Sequence, residues 1–252
     1  MGVVLEATNL RVLFKGHRGQ KNIAAVDDLT LKVNEGEVVG FIGPNGAGKT
    51  TTIKVFMGFI FPTSGTATVL GHRAGSKIAR SRIGYLPEVA LYYPFMTPIE
   101  ILRLYGTLQG LGKKTLQEAI PQLLLRVGLA GFEKRRLRQF SRGMLQRVGL
   151  AQAIMGNPDL LILDEVTSGL DPVGRRDLRN ILMDFKKKGK TVFFSSHELS
   201  EVAKLCDRVI LIDDGRVIQE KSMEEIQEVV NAGGLKGSLE DYFVSVVGRK
   251  IT

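Results

Sequence analysis

Eight consecutive residues, Gly43-Pro44-Asn45-Gly46-Ala47-Gly48-Lys49-Thr50, have the types and spacing of a phosphate cradle. Glycines at the first, fourth and sixth places let successive backbone N–H groups converge on phosphate oxygens, where side chains would obstruct. Lys49 supplies a mobile point charge for the β and γ phosphates, Thr50 a hydroxyl for Mg²⁺, and Thr51 continues the same nucleotide-binding run. Such a loop works only between a strand and a helix. Val38-Val39-Gly40-Phe41-Ile42 supplies the strand, and a helix opening near Lys49 and running from Thr52 towards Phe61 adds its positive dipole end. The context is met, so this is a nucleotide site. A second set of oxygens stands at Asp164-Glu165, after the apolar run Leu160-Leu161-Ile162-Leu163. Adjacent strand residues point to opposite faces, so one carboxylate can hold Mg²⁺ while its neighbour takes a proton from an attacking water. By themselves, however, acidic strand ends are common.

These residues need a scaffold, and the chain reads as one. Short apolar runs alternate with helical segments, the pattern of a largely parallel sheet covered by helices. Leu160–Leu163, Thr191-Val192-Phe193-Phe194 and Val209-Ile210-Leu211-Ile212 are buried strands, the last turning at Asp214-Gly215 into Arg216-Val217-Ile218 as a hairpin. A helix lies between an Asp171 N-cap with Pro172 at its first position and Gly189 at its end. The stretch 88–157 differs: it lacks a β-branched run and carries helix starts. Thr97-Pro98-Ile99-Glu100 is a capping box, and Thr115-Leu116-Gln117-Glu118 offers another. The expected fold class is α/β with a mostly parallel sheet. It forms one domain over 1–252, with a nucleotide-binding core of 1–87 and 158–252 and a helical subdomain at 88–157.

Composition bounds the rest. At 252 residues, 44% hydrophobic and 24% charged, the chain can bury a proper core without staples. The single Cys206 excludes an internal disulfide framework and suits both a reducing compartment and a place in the core. The start, Met1-Gly2-Val3-Val4-Leu5-Glu6, lacks the basic, apolar form of a signal peptide, and no run of 18 apolar residues exists to span a bilayer. The expectation is a cytoplasmic protein. Net charge is +9 and unevenly placed. No acidic residue occurs from Val38 to Pro87, and Lys134, Arg135, Arg136, Arg138, Arg142 and Arg147 form a second basic cluster. Phosphate ligands, nucleic acid, an anionic membrane or simple solvation of a basic face all fit such a field.

Further residues narrow the choice. Phe140-Ser141-Arg142-Gly143-Met144 opens a helix, Ser168-Gly169-Leu170-Asp171 follows Glu165, and Ser195-Ser196-His197 ends the next strand. Singly, Ser141 is a good helix cap and His197 a plausible structural histidine. In this order, with the phosphate loop about ninety residues before the Ser-x-Gly signature, the ensemble resembles the ATP-binding-cassette (ABC) ATPases over nearly the whole chain, from about Leu5 to Gly248. That resemblance implies a P-loop core with an N-terminal antiparallel β portion and an inserted helical subdomain carrying the signature. It also implies ATP sandwiched between the phosphate loop of one subunit and Ser141 and Gly143 of another. His197 would contact the γ-phosphate, Asp171 would communicate across the dimer, and Phe14 would stack on adenine, although Phe14 also suits a core position. One loop and one signature per chain call for a second copy or a related ATPase subunit.

Some positions depart from the usual family pattern. Glu88, in Gly84-Tyr85-Leu86-Pro87-Glu88, replaces a Gln that reaches Mg²⁺ and water; a carboxylate can still ligate the metal. Arg142 and Met144 replace Gly and Gln, and Val166 a frequent Pro. The combination resembles the branch of bacterial exporters of antibiotics, polysaccharides or ions. The leading expectation is therefore an ATPase subunit peripheral on the cytoplasmic face of the membrane, using ATP and Mg²⁺ and partnered by an integral membrane permease. Leu91, Tyr92, Tyr93, Phe95 and Met96 form an apolar cluster where the family docks its permease, or else pack into the core. Two rival functions compete with this reading. A nucleic-acid or ribosome-associated member fits the pI near 9.7 but lacks the second cassette or long coiled-coil arms usual there. A non-hydrolysing clamp is disfavoured by the presence of Glu165 and His197.

Overall fold

The computed structural model describes residues 2–16, 22–167, 169–232 and 239–247, which leaves Ser168 outside the described residues. In chain order the elements are β1 (Val3–Phe14), β2 (Ile23–Asn34), β3 (Val38–Ile42), α1 (Lys49–Phe56), β4 (Ser64–Val69), β5 (His72–Arg73), α2 (Lys77–Arg80) and β6 (Ile83–Leu86). Next come α3 (Pro98–Leu108), α4 (Lys113–Arg126), a 3₁₀ turn (Leu137–Gln139), α5 (Arg142–Ile154), β7 (Leu160–Leu163), α6 (Pro172–Lys187) and β8 (Thr191–Ser195). The chain continues through α7 (Leu199–Leu205), β9 (Arg208–Asp213), β10 (Arg216–Ser222), α8 (Met223–Ala232) and α9 (Leu239–Val247). The fold is α/β, and it divides into two compact units: Met1–Arg80 with Phe193–Thr252, and Ser81–Val192.

The first unit holds the antiparallel portion. β1 alternates buried and exposed residues and pairs antiparallel with both β2 and β4, giving a sheet of order β2-β1-β4-β5. Period-two burial shows a sheet with one covered face. β3 behaves differently, with all five residues buried, and runs parallel to β9 in register from Val39↔Arg208 to Ile42↔Leu211. β9 then turns through Asp214 (φ 47°) and Gly215 (φ 75°) into antiparallel β10. Two successive positive φ values are what a two-residue hairpin loop demands, and Asp-Gly meets them. Phe193 lies at the centre of the core, its ring 5.3 Å from Phe41 and edge-on to Phe56 at 6.0 Å.

In the second unit β6 and β7 pair in parallel from Ile83↔Leu160 to Leu86↔Leu163. That register brings Pro87-Glu88 and Asp164-Glu165 out at one carboxyl edge, where the Asp164 N–H donates to the Leu86 carbonyl at 2.8 Å. Residues 88–157 contain helices and no strand. α3 carries the expected capping box: Thr97 Oγ1 accepts from the Glu100 N–H, and Glu100 Oε2 accepts from the Thr97 N–H at 2.8 Å. α6 starts on Asp171, whose Oδ1 accepts from the Gly174 N–H at 2.7 Å, with Pro172 first. Its apolar stripe, Leu178, Ile181, Leu182 and Phe185, is buried.

Two expected boundaries are wrong. The box at Thr115 does not form, because α4 begins at Lys113 with Gly112 as its cap. Leu116, Ile120 and Leu124 are its buried stripe, so the first turn must lie ahead of Leu116 and puts Thr115 inside the helix. α1 ends at Phe56 rather than Phe61: Gly58 has φ 72°, and a Cβ there would stand 2.3 Å from the Gly75 Cα. Only glycine allows that approach, and it stops the helix.

Candidate functional site

The phosphate loop joins β3 to α1, as its motif requires. Gly43 packs where a Cβ would be 2.2 Å from the Ile212 carbonyl oxygen. Gly48 (φ 102°) caps α1 in the left-handed region, with the Ala25 carbonyl 2.4 Å from any added Cβ. These two glycines are thus demanded by the loop's walls as much as by a ligand. Gly46 (φ 85°) and Asn45 form the exposed crest, Ala47 is buried, and Pro44 is half-buried. The hairpin turn braces the loop from behind: the Gly215 N–H donates to the Ala47 carbonyl at 3.0 Å, and the Gly215 carbonyl accepts from the Asp27 N–H at 2.9 Å.

Lys49 is 6% exposed, and its Nζ donates to the carbonyls of Gly43 (2.8 Å) and Pro44 (3.1 Å). The ammonium is therefore poised on the loop itself, at the first turn of a helix with no acidic residue in that turn. Thr50 and Thr51 follow in the same turn, half-buried. Positive charge, helix N-terminus and converging amides together make an anion site. In the same unit Phe14 ends β1 with 44% of its surface exposed, so its ring is not a core residue. His197 follows buried Ser195 and Ser196 after β8 and is exposed.

The second unit presents the carboxylates. Asp164 is 1% and Glu165 7% exposed. Glu165 has φ 49°, a left-handed backbone that is uncommon outside glycine and typical of functional turns. Beside this edge, burial and the Asp164 carboxylate push the Tyr85 hydroxyl up to about 12, so it remains a neutral donor. Glu88 lies exposed just past β6. Ser141 caps α5, its Oγ accepting from the Met144 N–H at 3.3 Å, and is exposed at the helix's positive end. Gly143 is required by packing, since a Cβ would be 2.8 Å from the Gly169 carbonyl oxygen. Asp171 is exposed, and its carboxyl is held below the usual range by the Gly174 N–H and then by Arg147.

α5 lies close on β6 through two glycines: a Cβ on Gly84 would be 2.0 Å from the Ala153 carbonyl oxygen, and one on Gly149 would be 2.4 Å from Leu86 Cδ1. The helix that Ser141 caps and the strand leading to Glu88 are therefore in direct contact, backbone against backbone at Gly84. Of the apolar cluster, Leu91, Tyr93 and Phe95 are exposed, whereas Tyr92 turns inward and donates its hydroxyl to Gln152 Oε1 at 2.9 Å. Gln146, and Arg147, which the sequence shows only as part of a basic cluster, bind the backbone and side chains of the 164–177 stretch. A glutamine and an arginine within an otherwise apolar helical run were the available signal.

Among the described residues, no cluster of three or more His, Cys, Asp or Glu side chains could hold a metal unaided. In the second unit the buried Asp164 carboxylate, and in the first the Thr50 hydroxyl, are each hard oxygen donors of the kind a hard cation takes together with phosphate and water. The chemistry of each donor fits Mg²⁺.

A family model described as ABC transporter matches residues 26–168. An uncharacterised ABC transporter ATP-binding protein of Synechocystis sp. is 39% identical, with 96% of this chain and 71% of that protein covered. The bacitracin transport ATP-binding protein of Bacillus licheniformis is 37% identical over 90% of this chain and 72% of its own length. Among solved structures, a dimeric ATP-binding cassette in a post-hydrolysis state bound to ADP and Pi superposes with a TM-score of 0.80 at 25% identity, covering 87% of this chain and 98% of the other. With phosphate loop, paired carboxylates and signature helix all formed, the chain belongs to the ABC transporter family as an ATP-binding, ATP-hydrolysing cassette.

Proposed function

We propose that this chain powers export through a separate integral membrane permease, acting as a dimer that sandwiches two ATP molecules. The observation that carries the sandwich is the exposed, Ser141-capped start of α5, a helix N-terminus ready for a γ-phosphate. In each protomer the loop Gly43–Thr50 would hold the phosphates, with Lys49 on the β and γ groups and Phe14 against adenine. Ser141 and Gly143 of the other protomer would close over the γ-phosphate, and Asp171 would report across the interface. As the family's motifs imply, Thr50, Asp164 and Glu88 would be the ligands of Mg²⁺, which when bound neutralises developing phosphate charge. Glu165 accepts the proton of the attacking water, and His197 keeps the γ-phosphate in line.

Export is supported by the bacitracin transport relative and by the pairing of Pro87-Glu88 with Ser141-Arg142-Gly143-Met144. Among the described residues no helix is long and apolar enough to cross a membrane. Exposed Leu91, Tyr93 and Phe95 would supply an apolar, aromatic face for the permease, which supports a peripheral position on the cytoplasmic side.

Glu165→Gln tests this reading. The amide cannot accept the proton, and losing a general base costs about 10²–10⁴ in rate. Lys49, Thr50 and Asp164 are untouched, so ATP still binds. Sedimentation of the mutant should show a monomer without nucleotide and a dimer with Mg²⁺-ATP, and adding Ser141→Arg should abolish that dimer. Hydrolysis by Glu165→Gln at the parent rate would remove Glu165 as the base, and an inactive mutant that stays monomeric would remove the sandwich.

A further inference from the structure

One turn of α5 grips the segment that carries the carboxylates. Gln146, 5% exposed, donates from Nε2 to the carbonyls of Val166 at 3.3 Å and Glu165 at 3.5 Å. Its neighbour Arg147 uses both arms of its guanidinium. Nη1 donates to Asp177 Oδ2 at 3.0 Å and to the Val127 carbonyl at 2.8 Å, while Nη2 reaches Asp171 Oδ1 at 3.4 Å. The arginine side chain is only 14% exposed. Its head fits because two glycines make room: a Cβ on Gly128 would stand 2.4 Å from Nη1, and one on Gly174 would stand 2.9 Å from Nη2. Gly128 also has φ 71°, so no other residue sits there without strain.

Glu165 needs such a hold. A left-handed non-glycine backbone is strained and persists only where its surroundings over-determine it. The Gln146 amide on the Glu165 carbonyl is one of the groups that do so. At the far end of the segment, Asp171 is fixed both as the cap of α6 and by Arg147. The two grips lie five and six residues from Ser141, about 8–9 Å along a helix rising 1.5 Å per residue. A helix that short is stiff, so displacement of its N-terminus is displacement of both grips.

We propose that Gln146 and Arg147 are positioning residues through which a γ-phosphate seated on the Ser141 end of α5 sets the backbone of Glu165 in the same chain. The inference rests on the sandwich reading. In that dimer the Ser141 end serves the partner's nucleotide, whereas Glu165 serves the chain's own. Filling one site therefore prepares the base of the other, and by linkage the effect on binding is mutual. Hydrolysis should be cooperative in ATP.

The test uses Gln146→Met, which keeps length but removes both donors, and Arg147→Lys, which keeps charge but loses the planar fork. Both are assayed as the full chain across ATP concentrations, with nucleotide affinity from fluorescent-ATP titration and folding from thermal melts. Each variant should bind ATP within about twofold of the parent, as the phosphate loop is intact. Turnover should fall by about 10–100-fold, the scale of losing a supporting partner of a reactive group, and the Hill coefficient should drop from above 1 to about 1. Should Gln146→Met fail to fold, Arg147→Lys decides by the same readouts. Parent-like kcat and Hill coefficient in the folded variants, or a raised KM with kcat unchanged, overturn the proposal. Glu165→Gln run alongside separates the failures. If it hydrolyses ATP normally, the base assignment itself has failed; if it is inactive while Gln146→Met and Arg147→Lys behave as parent, only the present inference has.

Discussion

Lys49 is the residue at which charge and position coincide most closely. Its ammonium, now on the Gly43 and Pro44 carbonyls, is the cation nearest the converging amides of its own loop. Lys49→Ala removes that charge and keeps the amides, so ATP affinity should fall at least tenfold, about 1.4 kcal/mol, while some ADP binding survives. Unchanged affinity in a fluorescence titration would place the nucleotide elsewhere. Glu88 poses the reverse question, because the structure leaves it exposed at the edge shared with Asp164. Glu88→Gln removes a negative charge yet keeps an oxygen ligand, so Mg²⁺-ATP turnover should hold or rise. A loss of about 10²-fold would show that the carboxylate itself is required.

Elements decide how well those residues are held, and the α5–β6 contact is the least forgiving. Gly84→Ala would drive a methyl into the Ala153 carbonyl, so helix and strand must part, and destabilisation should exceed the usual 1–3 kcal/mol of overpacking. Chemical denaturation would show it; a change under 0.5 kcal/mol would mean the packing is loose. Thr97→Ala, by contrast, removes only the α3 cap and should cost about 1 kcal/mol. Which elements were legible follows from the same physics. β3, β7, β8 and β9 were readable because continuous burial leaves unbroken apolar runs, and α6 because its cap, proline and terminal glycine all act locally. The long strands β1 and β2 are harder to bound: bulges at several points break their alternation, and Asn9 and Asp28 take positive φ within them. The end of α1 was missed because Gly75, distant in sequence, imposes it. For the same reason the contacts of Gln146 and Arg147 are not legible in sequence: their partners come from β7 onward and from the end of α4.

At the scale of the whole molecule, ligand binding and stability are linked. A ligand that binds only the folded chain stabilises it by about 2.7 kcal/mol at a hundredfold excess over Kd. For a protein of this size that is a rise in Tm of about 5–10 °C. Glu165→Gln with Mg²⁺-ATP should show this rise, and chelating the metal should reverse most of it. An equal rise with ATP in chelator would mean the cation contributes little to binding. The basic charge has a role at this scale too. Lys134, Arg135, Arg136 and Arg138 are exposed in the segment whose N–H groups at Leu137 and Arg138 donate to the Met96 and Pro94 carbonyls. The cationic surface and the apolar face at Tyr93 and Phe95 are therefore neighbours, an arrangement suited to a site beside an anionic membrane.

The brace behind the phosphate loop has a consequence for synthesis. The loop is complete once the ribosome has passed Thr50, yet its walls include the Ile212 carbonyl and the Gly215 turn, made about 165 residues later. At 5–20 residues per second, roughly 10–30 s separate the motif from the site. During that interval the nascent chain displays a phosphate motif without the architecture to use it. Stalled chains ending before β9 should not retain ATP, whereas those extending past β10 and clear of the exit tunnel should. Nucleotide capture should therefore follow synthesis of the second half of the chain rather than seed the folding of the first.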